Sequence, residues 1–127
     1  MSNYLEDIGV AHATDVDSGS LKFEIETTMG DAPCFFIFNG EEGVAIYSCL
    51  PVQVPKSKIS EVALYLSCLN NNRFWGCFEM DLKTRNVYFR TYIDLTEIPL
   101  TTPRIEKSMS ANLSVLQQHL MGILELF

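Results

Sequence analysis

The sequence contains no long hydrophobic run, no excess of basic residues and no closely spaced pair of cysteines. Its apolar stretches fall well short of the ~20 residues that a membrane-spanning helix needs. The sequence contains nine Lys and Arg residues and sixteen Asp and Glu residues, so the formal net charge is −7. Because nucleic acids and anionic membranes are bound mainly through basic side chains, this balance excludes both as expected partners.

The amino-terminal residues also lack the pattern of an exported protein. MSNYLEDIGV has no basic segment followed by an apolar core, which a secretory signal requires. We therefore predict a cytoplasmic location. Hydrophobic residues make up 47% of the 127 residues, which is typical of a globular chain, and the length predicts a single domain over residues 1–127.

The acidic residues are concentrated at one end of the chain. Residues 1–33 carry seven acids and one base, a net charge of −6, whereas residues 34–127 carry nine acids and eight bases, a net charge of −1. The amino-terminal segment is therefore the place to look for a basic partner, or for self-repulsion that sets solubility. The case against nucleic acid rests on the absence of a basic cluster in the nearly neutral remainder.

The four cysteines are spaced too far apart for a zinc knuckle or a redox motif. They lie 15, 19 and 9 residues apart, at Cys34, Cys49, Cys68 and Cys77. An even number also suits two disulfides, but the predicted compartment is reducing. Each cysteine has small or apolar neighbours, which favours free thiols that are buried as small hydrophobic side chains.

The spacing of apolar residues predicts an α+β fold with one five-stranded, mainly antiparallel sheet and helices on one face. The predicted strands span residues 21–28, 34–38, 44–50, 74–82 and 87–94. In the second strand the side chains that point to either face are apolar, which is typical of a strand covered on both faces. Helices are predicted at about 56–69, ended by an asparagine in the left-handed conformation, and from Thr102, the expected N-cap, onward. Residues 4–10 form a weak helix candidate and residues 11–20 read as a polar loop.

The last helix carries a long apolar stripe. Its members recur every three or four residues and are Ile105, Met109, Leu113, Leu116, Leu120, Ile123 and Phe127. This spacing is typical of an amphipathic helix whose apolar face packs against a sheet.

Two patterns in the sequence resemble chemical sites but are not favoured. Asp15 and Asp17 with Glu26 resemble calcium ligands, but an EF-hand loop needs glycine where Ser20 stands. The run at 73–78 resembles an RNA-binding strand, but acidic residues follow it directly, so aromatic packing is the favoured interpretation.

The only histidines, His12 and His119, have no recognisable catalytic partner in the sequence. No phosphate-binding glycine loop or nucleophile motif is present either. We predict no catalytic residue, no metal site and no cofactor.

Four residues around the last hairpin form the candidate binding site. Trp75, Tyr88 and Tyr92 could supply an amphipathic aromatic patch, and Arg90 shares a strand face with the two tyrosines. Aromatic and arginine side chains are enriched at protein interfaces. The alternative is that the same aromatic residues lie under a second covered face of the sheet.

Several segments resemble the YbjN-domain proteins, small bacterial proteins that are also described as sensory-transduction regulators. The similar segments are Leu50-Pro51 with Val54-Pro55, the helix from Ile59 to Asn70, the hairpin from Gly76 to Arg90, and the last helix with Asn112. The resemblance covers roughly residues 20–127. It implies a fold like that of the type III secretion chaperones, whose members bind other proteins, often as homodimers, and it supplies no catalytic residue.

These observations together predict a non-enzymatic protein-binding module, a regulator or chaperone-like protein that acts as a homodimer. The sequence does not name its protein partner. The alternative is a small-molecule-binding protein or a small enzyme with a pocket between the sheet and the helices, where Arg90, Glu79 and Asp81 could converge.

Overall fold

The computed structural model describes residues 12–15, 20–27, 30–40, 42–71 and 73–127. Within these ranges, six antiparallel strands form one sheet in the order β1-β2-β3-β4-β6-β5. The strands are β1 (His12–Asp15), β2 (Ser20–Thr27), β3 (Gly30–Asn39), β4 (Gly43–Cys49), β5 (Cys77–Met80) and β6 (Val87–Asp94). A 3-10 turn at Lys56–Lys58 leads into α1 (Ile59–Asn70), and the last helix is α2 (Thr102–Leu124).

The α+β class and the antiparallel sheet are confirmed, but the predicted number of strands is too low. Residues 12–15, which we assigned to a loop, pair with β2 from His12 opposite Phe23 to Asp15 opposite Ser20. The prediction failed because a strand at the sheet edge can be held by backbone hydrogen bonds alone and need not alternate apolar and polar residues. The helix predicted at residues 4–10 lies outside the described residues.

One face of the sheet carries the helices and the core. In β6, Val87, Phe89, Thr91 and Ile93 are buried on this face, while the residues between them point the other way. The first helix packs on β5, and the second helix packs on β4 and β6. We call the opposite side of the sheet the open face; its side chains on β2 to β6 include Lys22, Phe35, Ile37, Tyr47, Cys77, Glu79, Tyr88, Arg90 and Tyr92.

The predicted stripe of α2 forms most of the contact with the sheet. Five of its members are buried, namely Ile105, Met109, Leu116, Leu120 and Ile123, and Leu113 is half-buried. The N-cap is Thr101, one residue earlier than predicted, and its hydroxyl accepts a hydrogen bond from the Arg104 backbone N–H. Pro103 lies in the first turn as expected, because a missing N–H costs nothing there.

A buried amide joins α2 to the two strands beneath it, β4 and β6. The Oδ1 atom of Asn112 accepts a hydrogen bond from the Ser48 hydroxyl at 2.5 Å. Its Nδ2 atom lies 3.0 Å from the Ile46 carbonyl, 3.2 Å from the Phe89 carbonyl and 2.9 Å from the Thr91 hydroxyl. Because Asn112 is fully buried, these contacts fix its helix in one position relative to β4 and β6.

The first helix ends at Asn70, close to the predicted stop. The next residue, Asn71, is extended, with φ −63° and ψ 132°, and Asn72 lies outside the described residues. The Asn70 side chain accepts from the Phe78 backbone N–H at 2.7 Å and donates to the Phe78 carbonyl at 2.9 Å. The Asn70 side chain therefore makes the two hydrogen bonds to the Phe78 backbone that a neighbouring strand would otherwise make.

All four cysteines are free thiols, as predicted, but only two are buried. Burial raises the pKa of Cys34 to about 12 and that of Cys49 to about 11. Cys77 is half-buried on the open face, and Cys68 is exposed on α1. The prediction of burial is wrong for Cys68 because its apolar neighbours in sequence point to other sides of the helix.

Candidate functional site

A row of side chains crosses five strands of the open face. Cross-strand pairing places Lys22 opposite Phe35, Phe35 opposite Tyr47, Tyr47 opposite Arg90, and Arg90 opposite Cys77. Side chains that are directly opposite in antiparallel strands lie close enough to interact. The register of the sheet therefore builds one continuous surface from residues that lie up to 68 positions apart in the sequence.

Three aromatic rings form the centre of this surface, and we call them the open-face cluster: Phe35, Tyr47 and Tyr88. The ring of Tyr88 meets Phe35 at 6.3 Å and Tyr47 at 5.9 Å, both edge to face. The Lys22 ammonium lies 5.6 Å from the centre of the Phe35 ring. Edge-to-face packing holds the rings in fixed orientations while leaving each of them half-exposed.

A charged pair borders the open-face cluster on the β5 side. The Nε atom of Arg90 lies 2.7 Å from Oε1 of Glu79, and an Arg90 Nη2 hydrogen is donated to the Cys77 sulfur at 3.3 Å. The hydrogen bond with Cys77, with a smaller contribution from Glu79, raises the pKa of Arg90. Burial, and then the Glu79 carboxylate, raises the pKa of Tyr47, so this hydroxyl stays protonated near neutral pH.

The open-face cluster and Glu79 enclose a shallow depression of about 350 Å³. Its lining residues are Phe35, Ile37, Tyr47, Glu79, Met80, Asp81 and Tyr88. The lining thus combines an apolar, aromatic floor with two carboxylates and contains no basic side chain. We predicted β3 to be covered on both faces, and this is wrong, since Ile37 is 41% exposed on the open face.

A second groove lies where the amino-terminal half of α2 meets the end of β6. It measures about 340 Å³ and is lined by Trp75, Thr91, Tyr92, Arg104, Lys107, Ser108 and Ala111. Trp75 packs edge to face on Phe89 at 5.9 Å and is 49% exposed, and Tyr92 is 51% exposed. The Tyr92 ring lies over Gly43, a position where any side chain would displace it.

Three of the four residues of the predicted binding site therefore lie on the open face, and the fourth does not. Tyr88, Arg90 and Tyr92 lie on that face, whereas Trp75 lies on the helix side, in the groove beside α2 that Tyr92 borders. Sequence reasoning did not select Phe35 and Tyr47. Their positions in the strands were informative, because Phe35 and Tyr47 alternate with the buried residues of β3 and β4. We interpreted the consecutive apolar residues of β3 as a strand that is covered on both faces.

The histidine of α2 packs between an aromatic ring and an arginine. The His119 ring stands edge to face on Phe78 at 5.7 Å, and its Nε2 atom lies 3.3 Å from Nη2 of Arg73. The Arg73 guanidinium in turn lies over Phe78 and Phe89, at 5.7 Å and 5.3 Å from the ring centres. Burial, and then the Arg73 charge, lowers the pKa of His119, so this histidine is neutral at pH 7.

The calcium pattern has no support in the backbone. Asp15 and Glu26 lie in paired strands, with Asp15 opposite Ser20 and Glu26 opposite Asp31. Asp17 lies outside the described residues, as does the side chain of His12. Across the described ranges, no group of three or more His, Cys, Asp and Glu side chains is placed to hold a metal ion.

Comparison with known proteins identifies the family. The model of the YbjN family, described as "Putative bacterial sensory transduction regulator", matches residues 1–118. The chain belongs to the YbjN family. No curated protein matches this YbjN-family chain. In the described part of the chain, no helix is both long and apolar enough to cross a membrane.

Solved structures with the same fold include both YbjN and secretion chaperones. YbjN from E. coli is 11% identical, with a TM-score of 0.66 over 95% of this chain and 86% of the other. The ExsC–ExsE complex contains a chain that is 14% identical, with a TM-score of 0.66 over 94% and 86%. The HopA1–SchA chaperone–effector complex contains one that is 13% identical, with a TM-score of 0.66 over 94% and 88%. The YbjN-family fold is thus of the type III secretion chaperone kind, as the resemblance implied.

Proposed function

We propose that this YbjN-family chain is a non-enzymatic protein-binding module that uses the open face of its sheet. The observation that carries the proposal is the open-face cluster, where three oriented aromatic rings lie half-exposed beside the Glu79–Arg90 pair. Aromatic side chains in a shallow, partly apolar depression, with an arginine beside them, are typical of an interface centre.

The relatives support a binding role. Two of the similar structures are complexes, ExsC with ExsE and SchA with HopA1, and the second is a chaperone–effector complex. By analogy of fold, we propose that the present chain also binds a protein segment, in the cytoplasm and as a single domain. Fold analogy names no partner, so the residues of the open face are needed to test the idea.

The packing favours this role over a small-molecule or catalytic pocket enclosed between the sheet and the helices. Large side chains such as Phe36, Phe89 and Leu116 fill that space and are almost completely buried. The two depressions described above both open to solvent, one on the open face and one beside α2.

We propose that the protein acts as a homodimer through the apolar surface between α1 and β5. This surface consists of Ala63, Leu66, Ser67, Asn70, Phe78, Met80 and Leu82. Leu82 at its edge is 68% exposed, and Leu64 on α1 is 70% exposed. Burying such side chains against a second copy is favourable at about 25 cal/mol per Å² of apolar area.

Two experiments test the proposals separately. For the dimer, sedimentation velocity should show a dimer for the wild type and a monomer for Leu64→Glu with Leu82→Glu. Met121→Glu, an exposed apolar position on α2, is the matched control and should stay dimeric. A wild-type monomer at all concentrations would rule out the dimer.

For partner binding, the wild type should capture a protein from its own cells that the Tyr47→Ala, Tyr88→Ala double variant does not. Phe74→Ala removes an aromatic ring that is almost fully exposed away from the cluster, and it should capture the same protein as the wild type. Equal capture by all three proteins would contradict the assignment of binding to the open face.

A further inference from the structure

We propose that the depression on the open face accepts the ammonium or guanidinium group of a basic side chain carried by the partner segment. This inference rests on the proposed function and specifies the chemistry of the partner: a segment with a lysine or arginine flanked by apolar residues.

The aromatic floor is suited to a cation. The faces of aromatic rings attract ammonium and guanidinium groups within about 6 Å of the ring centre. The structure already shows such a contact, since the Nζ atom of Lys22 lies 5.6 Å from the centre of the Phe35 ring. Tyr47 and Tyr88 extend the same aromatic surface on the side towards Glu79.

The charges around the depression favour the same ligand. Glu79 and Asp81 contribute carboxylates to the lining, which contains no Lys, Arg or His. Oε1 of Glu79 is engaged by Arg90 and Cys77. The charge of Arg90 is balanced by its pair with Glu79, and the chain as a whole carries a net charge of −7.

Lys22 acts as an internal occupant of part of this site. Its ammonium covers the Phe35 ring, which a cation from the partner would otherwise use. Removing the Lys22 charge should therefore strengthen the binding of a cation from the partner. This expectation is distinctive, because a substitution that removes a contact with a ligand normally weakens binding.

The test is a titration of the full-length protein with two seven-residue amphipathic peptides, identical except for lysine or norleucine at the central position. Binding is followed by calorimetry and by the NMR signals of the tyrosine rings. We expect the lysine peptide to bind about five- to tenfold more tightly than the norleucine peptide. The difference should shrink as salt is added.

Matched variants locate the effect. Glu79→Gln should reduce the preference for lysine at least about threefold. Glu61→Gln on α1 removes the same charge away from the depression and should leave the preference unchanged. Lys22→Met should increase lysine-peptide affinity about threefold, and more than Lys83→Met, which removes the same charge in the β5–β6 turn.

Each outcome decides between the proposals. If both peptides bind with equal affinity and shift the tyrosine signals, the inference is overturned and protein binding by the open face stands. If neither peptide binds, both the inference and the assignment of partner binding to this face are overturned. If lysine is preferred but Lys22→Met weakens binding, the role given to Lys22 is wrong, and the aromatic floor is not the site of the cation.

Discussion

The side-chain oxygen of Asn112 on α2 accepts a 2.5 Å hydrogen bond from the Ser48 hydroxyl on β4, 64 residues earlier in the chain. Both side chains are fully buried. The amide nitrogen of Asn112 serves two backbone carbonyls and the Thr91 hydroxyl on the neighbouring strands. A single polar side chain thus sets how the longest helix sits on the sheet, within an otherwise apolar contact.

Replacing Asn112 with alanine should destabilise the protein by ~2–4 kcal/mol. The substitution leaves the buried Ser48 and Thr91 hydroxyls without their partner and opens a cavity. Chemical denaturation measures the change in the free energy of unfolding. Gln118→Ala removes an exposed amide from the same helix and should change this free energy by less than ~0.5 kcal/mol. Equal effects of the two substitutions would show that the buried amide does not stabilise the fold.

The apolar stripe of α2 should show a gradient of stability effects. Leu116 is 1% exposed, so Leu116→Ala should destabilise by ~2–5 kcal/mol. Leu113 is only half-buried, and its replacement should cost ~1–2 kcal/mol. Denaturation of the two variants beside Met121→Ala, at an exposed position, provides the comparison. An order other than Leu116, Leu113, Met121 would argue against the orientation of the helix.

The stripe was predictable, and the first strand was not, for one physical reason. A helix that buries one face needs apolar residues every three or four positions. The spacing of apolar residues from Ile105 to Ile123 therefore predicts which face of α2 packs on the sheet. The pairing of His12–Asp15 with β2 uses the backbone, which is the same at every residue, and so leaves no pattern.

Gly76 should tolerate no side chain. Its φ of 69° disfavours other residues, and a Cβ there would lie 2.6 Å from the Phe89 ring and 2.9 Å from the Arg90 carbonyl oxygen. We expect Gly76→Ala to cost more than ~2 kcal/mol in thermal or chemical unfolding. Gly40 also has a positive φ but has open space around it, so Gly40→Ala should cost only ~1 kcal/mol. If the two substitutions cost the same, the close approach of Phe89 contributes nothing.

The four thiols should react in a fixed order. Cys68 is exposed and should be modified first in the folded protein, followed by the half-buried Cys77. Cys34 and Cys49 are buried, with pKa values raised to about 12 and about 11, so they should react only after unfolding. Mass spectrometry after timed alkylation gives the order, and Cys68→Ser should remove the fast phase. Early modification of Cys34 would contradict its burial.

The protein should lose stability in mild acid through His119. Its pKa is lowered in the folded state by burial and by Arg73, so the unfolded chain binds the proton more readily. The contribution is therefore fully present above pH 6.5, the ordinary value, and is lost as the pH falls through the lowered folded-state pKa. Denaturation midpoints between pH 7.5 and 5 should fall less steeply for His119→Gln than for the wild type. Identical slopes would mean that neither burial nor Arg73 lowers the pKa of His119 in the folded protein.

The candidate site was only partly predictable because strand parity specifies a face and not what covers it. Alternation placed Tyr88, Arg90 and Tyr92 on one side of β6, and the structure agrees. Whether a helix covers Phe35 depends on which face of the sheet α1 and α2 pack against. The sequence of β3 alone does not predict that face. The separation of Trp75 from Tyr88 likewise follows from the turn at Gly76, which directs Trp75 to the helix side of the sheet.

The amide of Asn70 has a further consequence for the molecule in a crowded cell. An outermost strand with free backbone groups is a template on which strands from other molecules can add, and repeated addition produces fibrils. At Phe78 both backbone groups are already bonded to Asn70, so a foreign strand finds neither a donor nor an acceptor there. The asparagine thereby opposes strand addition at this residue of the edge, although apolar side chains are exposed beside it.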